Sequence, residues 1–127
     1  MREIWICIII VAIIISLDIV MQNYTKKSTD EIISDLEKIN AALKTQQTEE
    51  DLKHKLIEIK EKWKEKNSIL AYYIEHNELE KVETNLTSMI SYIETGEYNL
   101  ALDKIETNIF VLKHIKDKYQ LSLENIF

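Results

Sequence analysis

The sequence predicts an all-α protein, an N-terminal transmembrane helix followed by an antiparallel bundle of three to four helices. Three observations carry that prediction. Ile4–Met21 is an apolar run of 18 residues holding one charge, Asp18. The 127 residues include no proline and a single glycine, Gly96. Beyond residue 24, apolar residues recur at spacings of three and four, the mark of one-sided helices. Residues 1–24 are read as a membrane anchor and residues 25–127 as a helical bundle domain.

The anchor comes first. At ~1.5 Å rise per residue, 18 residues extend about 27 Å, close to the roughly 30 Å hydrocarbon core of a bilayer. Trp5 and Tyr24 flank the run where interfacial aromatics belong. Its nine isoleucines, at roughly −0.5 kcal/mol each, outweigh one aspartate at about +2.5 to +3.5 kcal/mol. Asp18 stands near one end, so its carboxylate is expected at the headgroups. A cleaved signal peptide is the first alternative, but the n-region is only Met1-Arg2-Glu3 and no A-x-A-like site follows. A buried core helix is the second, but a small domain offers no surface to cover a helix that is apolar all round. Cys7 reads as apolar filler within the run.

Orientation is less decided by charge. Arg2 and the terminal amine precede the span, offset by Glu3, and Lys26 and Lys27 follow it. Positive charge marks the cytoplasmic side, so charge alone leans slightly against placing the domain outside.

The composition bounds what the rest can be. All 15 lysines and 20 of the 22 acidic residues lie after the anchor, with the signs interleaved. That surface has no basic stripe for nucleic acid. Long helices avoid glycine and proline, whereas tight turns draw on them. No cysteine lies outside the anchor, so the domain has no internal disulfide.

In chain order, Ser28 and Glu31 fit a capping box before a first soluble helix over about 29–44, with Ile32, Leu36, Ile39 and Leu43 on one face. Nothing between Leu17 and Lys44 forces a break, so the sequence equally permits one continuous rod. Residues 45–48 read as a connection, with Thr48 capping a second helix and Glu49, Glu50 and Asp51 in its first turn. Its stripe is Leu52, Leu56, Ile59, Trp63, Leu70 and Tyr73, weakening over the polar stretch 62–67, with a bend or end near Asn67. Asn77 with Glu80 suggests the next N-cap, before Leu79, Val82, Leu86, Met89 or Ile90, and Ile93. Gly96 sits where a helix C′ glycine belongs, and the last helix starts at Tyr98, with Ala101 or Leu102, Ile105, Ile109, Leu112, Ile115 and Tyr119 inward. The apolar end, residues 121–127, is expected to dock back on the core. A tetratricopeptide-like echo at 96–101 has no second copy at the required period.

The segments Ile74-Glu75-His76-Asn77-Glu78-Leu79-Glu80, Tyr92-Ile93-x-x-Gly96 and Asn125-Ile126-Phe127 resemble the domain-of-unknown-function 4363 family, small proteins of clostridia and relatives with one N-terminal membrane helix. The resemblance implies a membrane-tethered, extracytoplasmic helical domain and brings no activity with it. On that ground the bulk of the chain is expected outside the cytoplasm.

Candidate chemistry is sparse. His76 shares a helical face with Glu80 and neighbours Glu75 and Glu78, a grouping able to bind a divalent metal; the plainer reading is that His76 and Asn77 orient a helix start. Trp63 could stack on a ligand, although its stripe position suits a core tryptophan better. Trp63, His76, Asn77 and Glu80 are therefore the binding candidates, with no metal or cofactor assigned. Asp51-x-x-His54 imitates half a di-iron motif, but no E-x-x-H occurs. His114 reads as a partly exposed surface histidine. One of Tyr72 and Tyr73 must face solvent, since adjacent helical residues diverge. Two N-x-T sequons, at Asn23 and Asn85, are near chance in this composition. No nucleophile arrangement and no glycine-rich phosphate loop is present. The expectation is a non-enzymatic interaction module anchored through Ile4–Met21 in a lipid bilayer, with a membrane protein or a second copy as partner. A small-ligand or metal-sensing bundle is the alternative.

Overall fold

A computed structural model of the chain describes residues 1–45 and 48–124, with side chains through Gln120. It contains four helices: α1 (Arg2–Lys44), α2 (Glu49–Leu70), α3 (His76–Glu94) and α4 (Tyr98–Glu124). No strand occurs among the described residues. Each helix packs on two others, α1 on α2 and α4, and α3 on α2 and α4, so the four close into a ring around one core. Short connections make consecutive helices antiparallel, the up-down-up-down arrangement of a four-helix bundle.

The question left open between Leu17 and Lys44 is resolved as one rod. α1 runs 43 residues without interruption, about 64 Å at 1.5 Å per residue. The first 17 residues are exposed on every side, and the first buried position is Thr25. The predicted capping box at Ser28 is not used. Ser28 lies buried inside the helix, and Glu31 reaches across to Lys66 (2.8 Å) and Lys62 (3.8 Å) on α2. A start signal is redundant where the preceding residues already form helix, because nucleation is the costly step.

Thr48 does cap α2, its hydroxyl accepting the Asp51 N–H at 3.4 Å. α2 does not stop at Asn67 but continues to Leu70. Its polar stretch is held by α1: Lys62 bonds Asp35 at 3.0 Å and Lys66 bonds Glu31 at 2.8 Å. Asn77 is not the N-cap of α3. That position belongs to Glu75, whose carbonyl accepts from the N–H groups of Glu78 and Leu79, and no side chain caps the end. Gly96 adopts φ 75° just past α3. Its N–H donates to Ile93 O (3.2 Å) and that of Glu97 to Tyr92 O (2.8 Å). This is a Schellman ending, in which the left-handed residue carries no Cβ strain.

The core follows the predicted stripes: Ile32, Leu36 and Ile39; Leu52, Leu56, Ile59, Trp63 and Leu70; Leu79, Val82, Leu86, Met89 and Ile93; Ala101, Ile105, Leu112 and Ile115. Leu43 and Tyr73 pack only partly against it. On α4 the fully buried position expected for Ile109 is taken by Asn108. Its amide donates to Val82 O and accepts from Asn85 Nδ2, both at 3.4 Å. The pairing removes most of the penalty for placing an amide in an apolar interior. The expected docking of the chain end, residues 121–127, lies outside the described side chains.

Candidate functional site

The sequence candidates separate into two places. His76 is the first residue of α3, with its side chain 84% exposed and Nε2 3.9 Å from Glu80 Oε2. Asn77 and Glu80 line a groove of about 560 Å³ between α3 and α4, together with Lys81, Thr84 and Thr107, over Asn85. Trp63 is elsewhere, 1% exposed in the core, with its indole N–H lacking a hydrogen-bond partner. The helical stripe that made Trp63 a core residue also keeps its ring from any surface ligand. Among the described residues no three His, Cys, Asp or Glu side chains gather as a metal site. His54 pairs with Glu58 at 3.3 Å on the exposed face of α2.

A second cluster, unforeseen from the sequence, forms where the exposed apolar stretch of α1 enters the bundle. The Tyr73 hydroxyl donates to Asp18 Oδ1 at 2.8 Å, and Gln22 Nε2 donates to Oδ2 at 3.3 Å. Tyr73 stacks at a tilt on Tyr119, ring centroids 5.4 Å apart. The Tyr119 hydroxyl accepts the Glu75 N–H at 3.0 Å, tying the end of α4 to the start of α3. Asp18, which the sequence reading left to headgroups, thus has two donors within the protein. A charge-assisted bond of this kind is stronger than a neutral one.

Glu78 is the acidic centre beside these rings. Its Oε1 takes the Lys118 ammonium at 3.2 Å and lies 3.9 Å from His114 Nε2, while Oε2 is buried without a partner. Lys118 also reaches Glu75 at 3.6 Å and sits 5.6 Å from the Tyr119 ring centre. The Glu78 hydrogen bond raises the Lys118 pKa above the ordinary lysine value, and burial raises that of the Tyr119 phenol. Both groups keep their protons at neutral pH, which holds the donors of the cluster in place. His114 has its side chain 60% exposed, as the sequence suggested.

The available signal for this junction was Asp18 itself, an acid inside an apolar run, which calls for a donor nearby. Nothing in the spacing indicated that Tyr73, 55 residues later, supplies it.

The model of the domain of unknown function DUF4363 matches residues 19–126, most of the chain. The protein belongs to the DUF4363 family. The matched region takes in the whole bundle and starts at Ile19, so most of the exposed apolar stretch of α1 precedes it. No match is found among curated proteins or solved structures.

Proposed function

We propose that this DUF4363 protein is a membrane-anchored interaction module without catalytic activity of its own, with its bundle on the extracytoplasmic side. The observation that carries the reading is the division of α1. The apolar side chains of Ile4–Leu17 are all exposed, and the same helix then enters a closed core. In water an unpartnered apolar surface of that extent is unfavourable, and lipid is the solvent that suits it. The bundle's outer surface would meet the partner, a membrane protein or a second copy. Among the described residues of the bundle, Phe110 on α4, 71% exposed, and Tyr72 in the turn after α2 are the most exposed large apolar side chains.

Two measurements test this reading. The full chain should sediment with membranes and be released only by detergent; recovery in the supernatant without detergent would end it. Sidedness is read with Lys64→Cys, an exposed position on α2; Lys66 suits less well because it is held by Glu31. Labelling of whole cells by an impermeant maleimide is expected, and labelling only after the membrane is opened would put the bundle in the cytoplasm. Crosslinking in mild detergent should yield a dimer or a hetero-complex; monomer alone would count against an interaction role.

The groove over Asn85 supports a second reading, a small-ligand or metal sensor. Asn77 and Glu80 already line it, and His76 is adjacent. Stoichiometric metal in the purified chain, lost on His76→Ala, would favour sensing over a pure interaction role.

A further inference from the structure

We propose that the span-side end of the bundle, led by Tyr72 at the α2–α3 corner, rests in the headgroup layer of the bilayer; this builds on the anchor reading above. The register of the helices sets the level of that corner. Lys62 faces Asp35 and Lys66 faces Glu31, so α2 descends along α1 residue for residue. Continued through the helical turns at 70–74, that register brings Tyr72 level with Thr25. α4 descends likewise, with Lys116 on Asp30 at 2.7 Å and Tyr119 on Tyr73.

The bilayer boundary lies at the same level. Ile4–Met21 accounts for about 27 Å, nearly the whole hydrocarbon core, and the headgroup layer adds roughly 5–8 Å per leaflet. Thr25 stands four residues past Met21, about 6 Å along the axis, and so within that layer. The Tyr73 hydroxyl reaches deeper still, to Asp18 inside the apolar run. A corner that hydrogen-bonds a residue of the span has to lie against the lipid surface.

The side chains suit that location. Four of the six tyrosines, Tyr24, Tyr72, Tyr73 and Tyr119, occupy this end. Phenol rings favour the headgroup level, with the ring in apolar surroundings and the hydroxyl in water. Tyr72 is 92% exposed and packs on nothing in the bundle, and Ile69, three residues earlier on the same face, is 44% exposed. Against lipid both gain the burial that the protein core does not provide. The bundle then stands flush on the membrane with α2 and α4 ending at its surface.

Depth-resolved quenching tests this in phosphatidylcholine–phosphatidylglycerol nanodiscs holding the full chain. A fluorophore is placed singly at Tyr72→Cys, Asn99→Cys or Ala12→Cys in a Cys7→Ser background. Asn99 lies at the start of α4, about 33 Å farther along the axis. The Tyr72 label should lose its emission to a nitroxide on the lipid headgroup and be shielded from iodide, while the Asn99 label should show the reverse. Equal iodide quenching at Tyr72 and Asn99, with no headgroup quenching at Tyr72, overturns the proposal. The Ala12 label separates the two readings. Quenching there by an acyl-chain nitroxide shows the span in lipid, so a negative at Tyr72 then removes only the docking; loss of the Ala12 signal change removes the anchor and the docking with it.

Discussion

Ile4–Leu17 and Thr25–Lys44 are parts of one helix with the same backbone hydrogen bonding, yet their apolar side chains are distributed differently. The first part is apolar on every face and exposed on every face. The second buries Ile32, Leu36 and Ile39 and turns charged residues such as Glu37 and Lys38 outward. Isoleucine is a mediocre helix former in water. In lipid that matters little, because an unbonded backbone group there costs several kcal/mol and helix is the way to bond them all. In the bundle, one-sided packing makes the helix stable instead. The comparison teaches that helical periodicity is needed only where a helix has two environments to separate. Asp18 and Gln22 lie at the changeover, where polarity returns to one face first, toward Tyr73.

The largest expected effect attacks the first part alone. Val11→Arg with Ile14→Arg adds about 5–7 kcal/mol to insertion, and the chain should move from the membrane pellet to the supernatant. Retention in the pellet would break the assignment of that part to lipid. Attacking the second part, or the core it joins on α2, should leave partition unchanged and weaken folding. Leu36→Ala or Trp63→Ala, both in the closed core, should cost about 3–5 kcal/mol, read as a lower denaturant midpoint in detergent micelles.

The junction between the two parts is expected to matter less. Tyr73→Phe removes a hydrogen bond to a carboxylate, worth about 1.5–3 kcal/mol. Amide exchange at residues 71–75 should accelerate, and unchanged exchange would show that the bond does not hold the corner. Asn108→Ala leaves the Asn85 amide without its partner and should cost about 1–3 kcal/mol, whereas Asn85→Leu with Asn108→Leu should cost less than the two single changes together.

The smallest effect is on the surface. The hydrogen bond from Lys66 holds the Glu31 carboxyl below its ordinary pKa. A folded-state pKa below the unfolded one stabilises at pH above the unfolded value and is lost as pH falls through the folded value. The stability of Lys66→Ala should therefore fall less between neutral pH and pH about 3 than that of the unaltered chain. Because the pair is partly exposed, added salt should shrink the difference.

Much of this protein was legible in order of residues. The apolar run, the four stripes, the Thr48 cap and the Gly96 ending are local patterns, decided by side-chain polarity, periodicity or one residue's backbone freedom. The failures share a cause. The Ser28 and Asn77 caps were read from neighbours in sequence, whereas one was overridden by the helix already running through it and the other by Glu75 at the corner. The substitution of Asn108 for Ile109 in the core was hidden because an amide reads as surface until its partner across the interface is known.

By itself the sequence determined the all-α class, the apolar rod and which face of each helix turns inward, because these depend on side-chain polarity at fixed helical spacing. Only the tertiary structure decided that the rod continues into the bundle, that Tyr73 reaches Asp18 and that Trp63 is sealed away from the groove at Asn77 and Glu80. Those outcomes depend on which residues of different helices come level with one another. That register is set by the packing of the whole ring and by pairs such as Lys66 with Glu31, which no local pattern encodes.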